Sequence, residues 1–533
     1  MDCISTRLPY RQTNAFSNIV LDYLDQADSI KPFFEFPPTM QGISKAIETR
    51  KKFKTKRETL VAELKKQYSD LETHDKVQKN IDALLSENSF TITTAHQPNI
   101  FTGPLYFIYK IIHALKLADH CKKIFPEYQF VPVYCMGSED ADLDELGHIY
   151  LDGEKFEWQT DQTGAVGRMK VDKGLLKLIE TIKGQLSVHA FGKEINQLIK
   201  ECYREKIQIQ EATFRFVNAL FSQYGLVVLI PESSELKKQL IPVFEYDLLN
   251  QTASGVVEKT AEKLKQAGYK TQVNPREINL FYLKEDLRER IVKNNSTYRI
   301  QNTDLAFAEG AIKKHLQDHP EKFSPNVVLR GLYQSTILPD VVFIGGGGEI
   351  AYWLQLKDMF DHYEVPFPVL VLRNSFLIFE KKWQERLNKL GFTTEDLFLN
   401  ENELLNKLVE KDTKQDVKLN GTYSTTEKFY DAIKKQAAAV DSSLAQHVDA
   451  LKAKTLHRLH ELEKKMLRAG KRKFSDQQRQ IQTIKENLFP GSGLQERFDN
   501  VLLYHAKWGK DFINKLYEYS LELEQEFVIL QEK

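Results

Sequence analysis

A βαβ pattern in residues 90–145 constrains the fold of this 533-residue chain more than any other feature. A strand-like run at residues 90–94 leads through a turn with Gly103 into an apolar helix that starts at Leu105, and a second strand-like run covers residues 128–136. Strand, turn, helix and strand in this order are typical of a parallel sheet with helices on its faces. Ligands of such sheets bind beyond the carboxyl ends of the strands. We therefore expect a functional site where these two strands end.

Polar side chains follow both strands. His96 and Gln97 come after the first strand, and Ser138, Glu139 and Asp140 come directly after the second. Because the carboxyl ends of parallel strands share one edge of the sheet, these residues are expected to meet. Neighbouring carboxylates repel one another, so the acidic group needs a cation or hydrogen-bond donors, which a metal ion or a cationic amine could supply. We predict His96, Glu139 and Asp140 as catalytic residues, with the imidazole as an acid/base near neutral pH or a phosphate contact.

A glycine-rich junction lies further along the chain. A strand-like run at residues 341–344 enters four consecutive glycines, Gly345 to Gly348, and a helical pattern follows. The N–H groups of such a loop can approach an anion at the N-terminus of a helix, and a tight turn is the simpler alternative. Neither the Gly-x-Gly-x-x-Gly spacing nor a P-loop is present, and no metal-ligating set is predicted. The predicted substrate- or nucleotide-binding residues are Gln97, Thr102, Gly103, Lys110, Ser138, Asp142, Gln334, Gly345, Gly346, Gly347, Gly348, Glu349, Tyr352 and Arg373.

The segments outside these motifs suggest a division into four regions. The regions are the first part of the core with an N-terminal helical extension (1–160), a connective insertion (161–325), the second part of the core (326–385) and a C-terminal helical domain (386–533). Within the insertion, the helical stretch of residues 237–267 is expected to break at Pro242 and Gly255.

The C-terminal region carries a narrow apolar stripe on a long polar helix. Apolar residues recur at steps of three and four between Leu444 and Met466, among many charged residues. A stripe of this kind favours a coiled coil or an antiparallel helical hairpin. Self-association into a homodimer is its natural use, and packing within its own domain is the alternative.

Composition excludes several classes of protein. Lysine and arginine together number 74, as do aspartate and glutamate, so the basic excess of a nucleic-acid-binding protein is absent. The longest apolar runs fall far short of the about 20 residues that a membrane-spanning helix needs. The four cysteines are widely scattered, and the first residues lack the apolar core of a signal peptide. We expect a cytoplasmic protein that binds neither nucleic acid nor membranes.

Four motifs together resemble a known family. They are Phe101-Thr102-Gly103-Pro104-Leu105-Tyr106, Ser138-Glu139-Asp140, the nine residues from Gly345 to Trp353, and Leu494-Gln495-Glu496-Arg497. Their order and spacing over essentially the whole chain resemble the bacillithiol biosynthesis cysteine-adding enzymes, the BshC family. The resemblance implies an α/β fold with a Rossmann-like parallel-sheet core similar to class I nucleotidyl transferases. The resemblance also implies connective insertions in this core and a C-terminal α-helical coiled coil that dimerises.

The same resemblance implies an activity. The family is identified with ligation of L-cysteine to the amine of glucosaminyl-malate, the last step to bacillithiol, and ATP or ADP and Mg²⁺ are the candidate cofactors. Many members read Gly-Gln-Gln where this chain has Ala95-His96-Gln97, and many have a histidine where it has Ala141. If that histidine is an acid/base, this chain either uses another residue, such as His96, or lacks the step. The class I Lys-Met-Ser-Lys-Ser signature is absent. The alternatives are a non-catalytic nucleotide-binding or scaffold protein and another amide-forming ligase on the same core.

Overall fold

The computed structural model describes residues 2–412 and 419–533. The chain forms two compact units, one of Met1–Ile378 with Gly493–Lys533 and the other of Phe379–Ser492. The strands of the chain are β1 (Cys3–Pro9), β2 (Ser89–His96), β3 (Gln129–Met136), β4 (His148–Leu151), β5 (Glu154–Glu157), β6 (Val227–Leu229), β7 (Leu280–Lys284), β8 (Leu287–Asn294), β9 (Thr297–Ile300), β10 (Ala306–Ala308), β11 (Phe323–Pro325), β12 (Asp340–Gly345), β13 (Val369–Leu372), β14 (Ser375–Phe379) and β15 (Glu526–Glu532).

A parallel sheet forms the centre of the first unit, with the strand order β13-β12-β2-β3-β6. The chain moves outward from β2 to β3 and β6, and then returns to the other side of β2 for β12 and β13. The carboxyl ends of β2 and β12 therefore meet at a topological switch point, where open α/β sheets bind their ligands. The strands are buried on both faces, which suits their β-branched and apolar residues. The predicted Rossmann-like core is confirmed.

Helices cover both faces of this sheet and fill the excursions between its strands. Those that precede the second unit are α1 (Asn18–Leu24), α2 (Met40–Arg50), α3 (Arg57–Gln67), α4 (Asp75–Ala83), α5 (Leu105–Ile124), α6 (Leu143–Leu146), α7 (Lys173–Leu186), α8 (Gly192–Cys202), α9 (Ile209–Phe221), α10 (Ser234–Lys237), α11 (Ile241–Asn250), α12 (Thr252–Gln266), α13 (Glu309–Asp318), α14 (Val327–Ile337), α15 (Gly347–Gln355) and α16 (Lys357–His362).

Two excursions interrupt the sheet. Between β3 and β6 lie a hairpin and helices α7 to α9, and the hairpin turns at Asp152 and Gly153 with positive φ angles of 50° and 83°. Between β6 and β12 lies an antiparallel sheet with the order β10-β9-β8-β7-β11. The expected break at Gly255 is wrong, because α12 runs through this glycine. The chain breaks instead at Gln251, whose φ of 57° separates α11 from α12. Pro242 lies in the first turn of α11, where a missing N–H costs nothing.

The second unit is helical and consists of α17 (Lys381–Lys389), α18 (Glu401–Asp412), α19 (Asn420–Val440), α20 (Leu444–Lys471) and α21 (Ser475–Leu488). Helices α19 and α20 form an antiparallel hairpin, since Lys434 pairs with Asp449 at 2.6 Å and Lys452 pairs with Asp431 at 2.9 Å. This is one of the two predicted arrangements. Part of the apolar stripe remains open to solvent, with Leu451 and Leu462 exposed by 42% and 47%.

The last 41 residues return to the first unit, whereas the predicted division placed them with the C-terminal helices. They contain α22 (Val501–Trp508), α23 (Lys510–Tyr519) and β15, which pairs antiparallel with β1. Just before α22, the buried Asn500 Nδ2 donates to the carbonyls of Phe101 at 2.9 Å and Gly103 at 2.6 Å. The tail therefore holds the turn that leads into α5.

Of the helices in the described ranges, none is long and apolar enough to cross a membrane. The cytoplasmic location stays a prediction. All four cysteines are free thiols in buried positions.

Replacing Asn500 with alanine is expected to destabilise the first unit by about 2 kcal/mol, because two buried carbonyl oxygens lose their donor. Scanning calorimetry of the full chain measures the shift in its unfolding transition. Asn88→Ala, which removes an exposed asparagine side chain, is the matched control and should leave the transition unchanged. Equal shifts for the two variants would contradict the role of Asn500.

Candidate functional site

A cavity of about 1100 Å³ lies at the carboxyl ends of β2, β3 and β12. The walls away from the sheet come from α14, the β7–β8 hairpin, the segment before β7, and Arg497 of the returning tail. The predicted residues that line this cavity are His96, Gln97, Lys110, Ser138, Glu139, Asp140, Asp142, Gln334, Gly346, Gly347, Gly348, Glu349, Tyr352 and Arg373. The structure thus brings both polar clusters and the glycine junction together. Thr102, Gly103 and Gly345 are not among the lining residues.

The turn before α5 explains the position of two of these three residues. Thr102 and Gly103 have positive φ angles of 70° and 61°, and their backbone shapes the turn that Asn500 holds. A Cβ on Gly103 would lie 2.8 Å from the Cβ of Asn99, and the left-handed φ favours glycine as well. This pair therefore shapes the entry to α5 from outside the cavity wall.

Glu139 meets a lysine that the sequence did not single out. Its Oε1 bonds to Nζ of Lys237, the last residue of α10. The lysine is fully buried and also donates to the carbonyl of Phe323 at 2.9 Å. The two partners are 98 residues apart. The pair joins the end of β3 to the excursion that contains the antiparallel sheet.

Asp140 is held by two arginines. Arg330 of α14 binds its carboxylate with both terminal nitrogens, with Nη1 at 2.8 Å from Oδ2. Arg288 of β8 lies 3.5 Å away, and the side chain of Gln97 also donates to the carboxylate. Burial raises the pKa of Asp140, but Arg330, Arg288 and Gln97 outweigh it and bring the pKa below its ordinary value. Asp140 is therefore a fixed anion, and the cations expected beside the acidic cluster come from the protein itself.

His96 is a neutral side chain in the cavity wall. Its ring stacks on Phe107 with centroids 5.0 Å apart, and only 8% of the residue is exposed. Burial, with smaller contributions from Lys110 and Arg373, lowers its pKa well below the ordinary value. The Nε2 atom is buried and has no hydrogen-bond partner among the described residues. The imidazole is therefore uncharged and does not contact a phosphate as a cation. Its catalytic role stays a prediction.

The glycine junction is closed by a carboxylate. Glu349 Oε2 accepts the N–H of Gly346 at 2.8 Å and pairs with Nζ of Lys110, which also donates to the carbonyl of Ala95 at 2.9 Å. Burial lowers the pKa of Lys110. This arrangement links β12, α5 and β2 at the switch point.

Arg373, directly after β13, is anchored by the returning tail. Its Nη2 donates to Oε1 of the fully buried Glu496 at 2.7 Å. Glu496 also accepts hydrogen bonds from the Ser375 hydroxyl at 3.2 Å and the Phe376 N–H at 3.2 Å. Arg373 Nε has no partner among the described residues. The motif around Leu494 thus contributes a structural anion to the site.

Sequence reasoning missed the partners of the predicted residues. They are Lys237, Arg288, Arg330 and Glu496. Glu496 belongs to the motif Leu494-Gln495-Glu496-Arg497, whereas no local pattern marks the other three. Within the described ranges, no group of three or more histidine, cysteine, aspartate or glutamate residues could hold a metal ion.

Replacing Arg330 with leucine tests the Asp140 pair through the pH dependence of stability. The pKa of Asp140 in the folded chain lies below its ordinary value of 3.8, so the pair stabilises the fold above that pH and is lost as the pH falls through the folded value. Near neutral pH the melting temperature of the variant should be lower than that of the unsubstituted chain. The difference between the two melting temperatures should become smaller as the pH is lowered. Arg299→Leu, at an exposed position of β9, is the control. A difference in melting temperature between Arg330→Leu and the unsubstituted chain that does not change with pH would contradict the pairing.

Comparisons with known proteins agree with this architecture. Residues 1–374 match the family model "Bacillithiol biosynthesis BshC, N-terminal Rossmann-like domain", and residues 376–532 match "Bacillithiol biosynthesis BshC, C-terminal coiled-coil domain". The match to a crystal structure described as a "putative arginyl t-RNA synthetase" from Campylobacter jejuni covers 84% of this chain and 99% of that chain, at 12% identity and a TM-score of 0.20.

Full-length relatives have been named. A protein from Flavobacterium psychrophilum, named "Putative cysteine ligase BshC", is 39% identical over 99% of both chains. A protein of the same name from Cytophaga hutchinsonii is 40% identical over 96% of both chains. The two family models and these relatives together cover nearly every residue of the sequence. The chain belongs to the bacillithiol biosynthesis BshC family.

Proposed function

We propose that this chain is a cysteine ligase that joins the carboxyl carbon of L-cysteine to the amine of glucosaminyl-malate. The observation that carries the proposal is a large cavity at the switch point of the Rossmann-like sheet, in a chain whose full-length relatives bear the name cysteine ligase. A cavity of about 1100 Å³ has room for two small substrates side by side, since sites for drug-sized ligands span about 300–1,000 Å³.

Amide formation requires an activated carboxyl group, because a carboxylate in water does not react with an amine. ATP, when bound, would supply this activation, and Mg²⁺ would enter with its phosphates. The residues fit a phosphate group: the first-turn amides of Gly347 and Gly348 begin α15, and the unpartnered Nε of Arg373 lies beside Gly346. Lys110 lies at the same place, where Glu349 balances its charge.

The attacking amine must lose a proton, and the chain offers a base for it. His96 would take this proton at Nε2, which has no hydrogen-bond partner among the described residues. Its lowered pKa makes it a weak base, which suffices once the amine has attacked and its N–H has become strongly acidic. Glu139 is fixed through one oxygen by Lys237, which leaves its other oxygen to orient the amine. Asp140 would act through position and charge, since Arg330 and Arg288 hold it.

Mass spectrometry of purified protein with glucosaminyl-malate, L-cysteine, ATP and Mg²⁺, each omitted in turn, tests the activity. Bacillithiol should form only in the complete mixture. Product without ATP would contradict the ATP-dependent activation. No product in any mixture, from folded protein that still binds nucleotide, would favour the non-catalytic alternative.

Substitution of the two predicted catalytic residues tests their roles. His96→Ala and Glu139→Gln should each reduce the rate of ligation by about 100-fold or more, in the range of a lost acid/base group. Circular dichroism should show both variants folded, because the glutamine still accepts a hydrogen bond from Lys237. Glu285→Ala, at an exposed residue of the β7–β8 turn, should retain the full rate. Full turnover in both variants would contradict the assignment.

The homodimer belongs to the same proposal, through the hairpin of α19 and α20. The exposed leucines Leu451 and Leu462 are the contacts that a second copy would bury. Light scattering should give the mass of two chains, and Leu451→Asp with Leu462→Asp should give the mass of one. Val188→Asp, at an exposed apolar position in the first unit, should not change the mass. A monomeric unsubstituted chain would contradict the dimer.

A further inference from the structure

The cavity carries an excess of positive charge, although the chain as a whole is neutral. Basic and acidic residues number 74 each in the sequence, yet seven cationic and five acidic side chains line the cavity. The buried Lys237 and Glu496, which pair with two of the lining residues, add one charge of each sign and leave an excess of two. Positive charge concentrated in a concave site favours an anionic ligand.

Three lining arginines carry this excess. Arg276, Arg290 and Arg497 have exposed side chains, and none has a carboxylate within ion-pair distance among the described residues. The other cations of the cavity wall all pair with a carboxylate. Of the acidic residues that line the cavity, Asp142 and Glu145 form no ion pair with any described residue. Burial and then the carboxylates of Asp142 and Asp140 raise the pKa of Glu145, so its strongest charged neighbours are other anions.

The three arginines extend from different parts of the backbone. Arg290 lies two residues after Arg288 on β8, so the two side chains leave the strand on the same face. The Arg288 guanidinium stacks on Phe281, the register partner of Arg290, at 3.8 Å. The carbonyl of Arg276 accepts two hydrogen bonds. Arg497 ends a short 3-10 turn, Gln495–Arg497, and directly follows the fully buried Glu496. The three side chains therefore line the cavity from three separate places, the segment before β7, β8 and the returning tail.

One paired arginine adds an unused donor. Arg288 has a buried Nε without a hydrogen-bond partner among the described residues. Its side chain is exposed by 10%. A buried donor without a partner costs about 1–3 kcal/mol, so such groups indicate where a ligand acceptor would sit.

We propose that Arg276, Arg290 and Arg497 form a subsite for a ligand portion with two carboxylates. The planar fork of a guanidinium matches a carboxylate in a bidentate manner, and a dicarboxylate would balance the charge excess. The inference rests on the proposed function, because it assigns the malyl end of the acceptor to these arginines. The cysteine and its activating group would then bind elsewhere in the same cavity, which the glycine junction also lines.

Phosphate groups share much of this chemistry, and the test separates the two. Isothermal titration of the full chain at physiological ionic strength uses L-malate as one ligand and tripolyphosphate as the other. The test variant combines Arg276→Gln, Arg290→Gln and Arg497→Gln. The matched control is Arg299→Gln, which removes an exposed arginine of β9, in the same antiparallel sheet but outside the cavity wall.

L-malate should bind the unsubstituted chain and the control equally, and the triple variant about tenfold or more weaker, since three charge pairs are lost together. If the triple variant fails to fold, the three single variants carry the same comparison. No binding of L-malate, or unchanged binding in the variants, would overturn the subsite. Loss of tripolyphosphate binding alone would also overturn it, in favour of phosphates.

The outcome of this titration is separate from that of the ligation assay. Arginine-dependent binding of L-malate by a chain that makes no bacillithiol would support the subsite and contradict the ligase. Ligation with arginine-independent binding of L-malate would support the ligase and contradict the subsite.

Discussion

Two adjacent carboxylates at the end of β3 must be neutralised, and the rest of the site depends on how the chain does it. Glu139 and Asp140 follow a buried strand, where uncompensated negative charges would repel one another. Their counterions come from α10, α14 and β8, all within the excursion between β6 and β12. The ion pairs therefore attach the antiparallel sheet to the Rossmann-like sheet. The cavity exists because this attachment spans the carboxyl edge.

A buried ion pair between distant residues also lies on the other side of the switch point. Arg373 leaves β13, and its anion is Glu496, 123 residues later in the returning tail. Breaking a buried pair leaves an uncompensated charge, which costs far more than the pair itself contributes. Both walls of the cavity are thus held by pairs that only the complete first unit can form. The arrangement leaves His96 neutral and several arginines unpaired, which suits a base beside an anionic substrate.

Local patterns predicted the parts of the molecule that depend on local physics. The βαβ unit and the glycine junction follow from strand periodicity and turn chemistry, and the structure contains both. Ion pairs such as that of Arg330 with Asp140, 190 residues apart, have no sequence signature.

The family motif at Thr102 and Gly103 also lay beyond sequence reasoning. Its residues shape a turn, and the side chain that holds this turn comes from Asn500, near the other end of the chain. Gln251 breaks the helical region where Gly255 was expected to do so, because a left-handed φ is accessible to residues other than glycine at some cost.

The most direct test of the central claim is a crystal structure of the chain with glucosaminyl-malate bound. The account predicts the sugar amine within hydrogen-bond distance of His96 and Glu139, and the malyl carboxylates on Arg276, Arg290 or Arg497. The acceptor bound outside the cavity, or inside it with its amine remote from His96 and Glu139, would contradict the account.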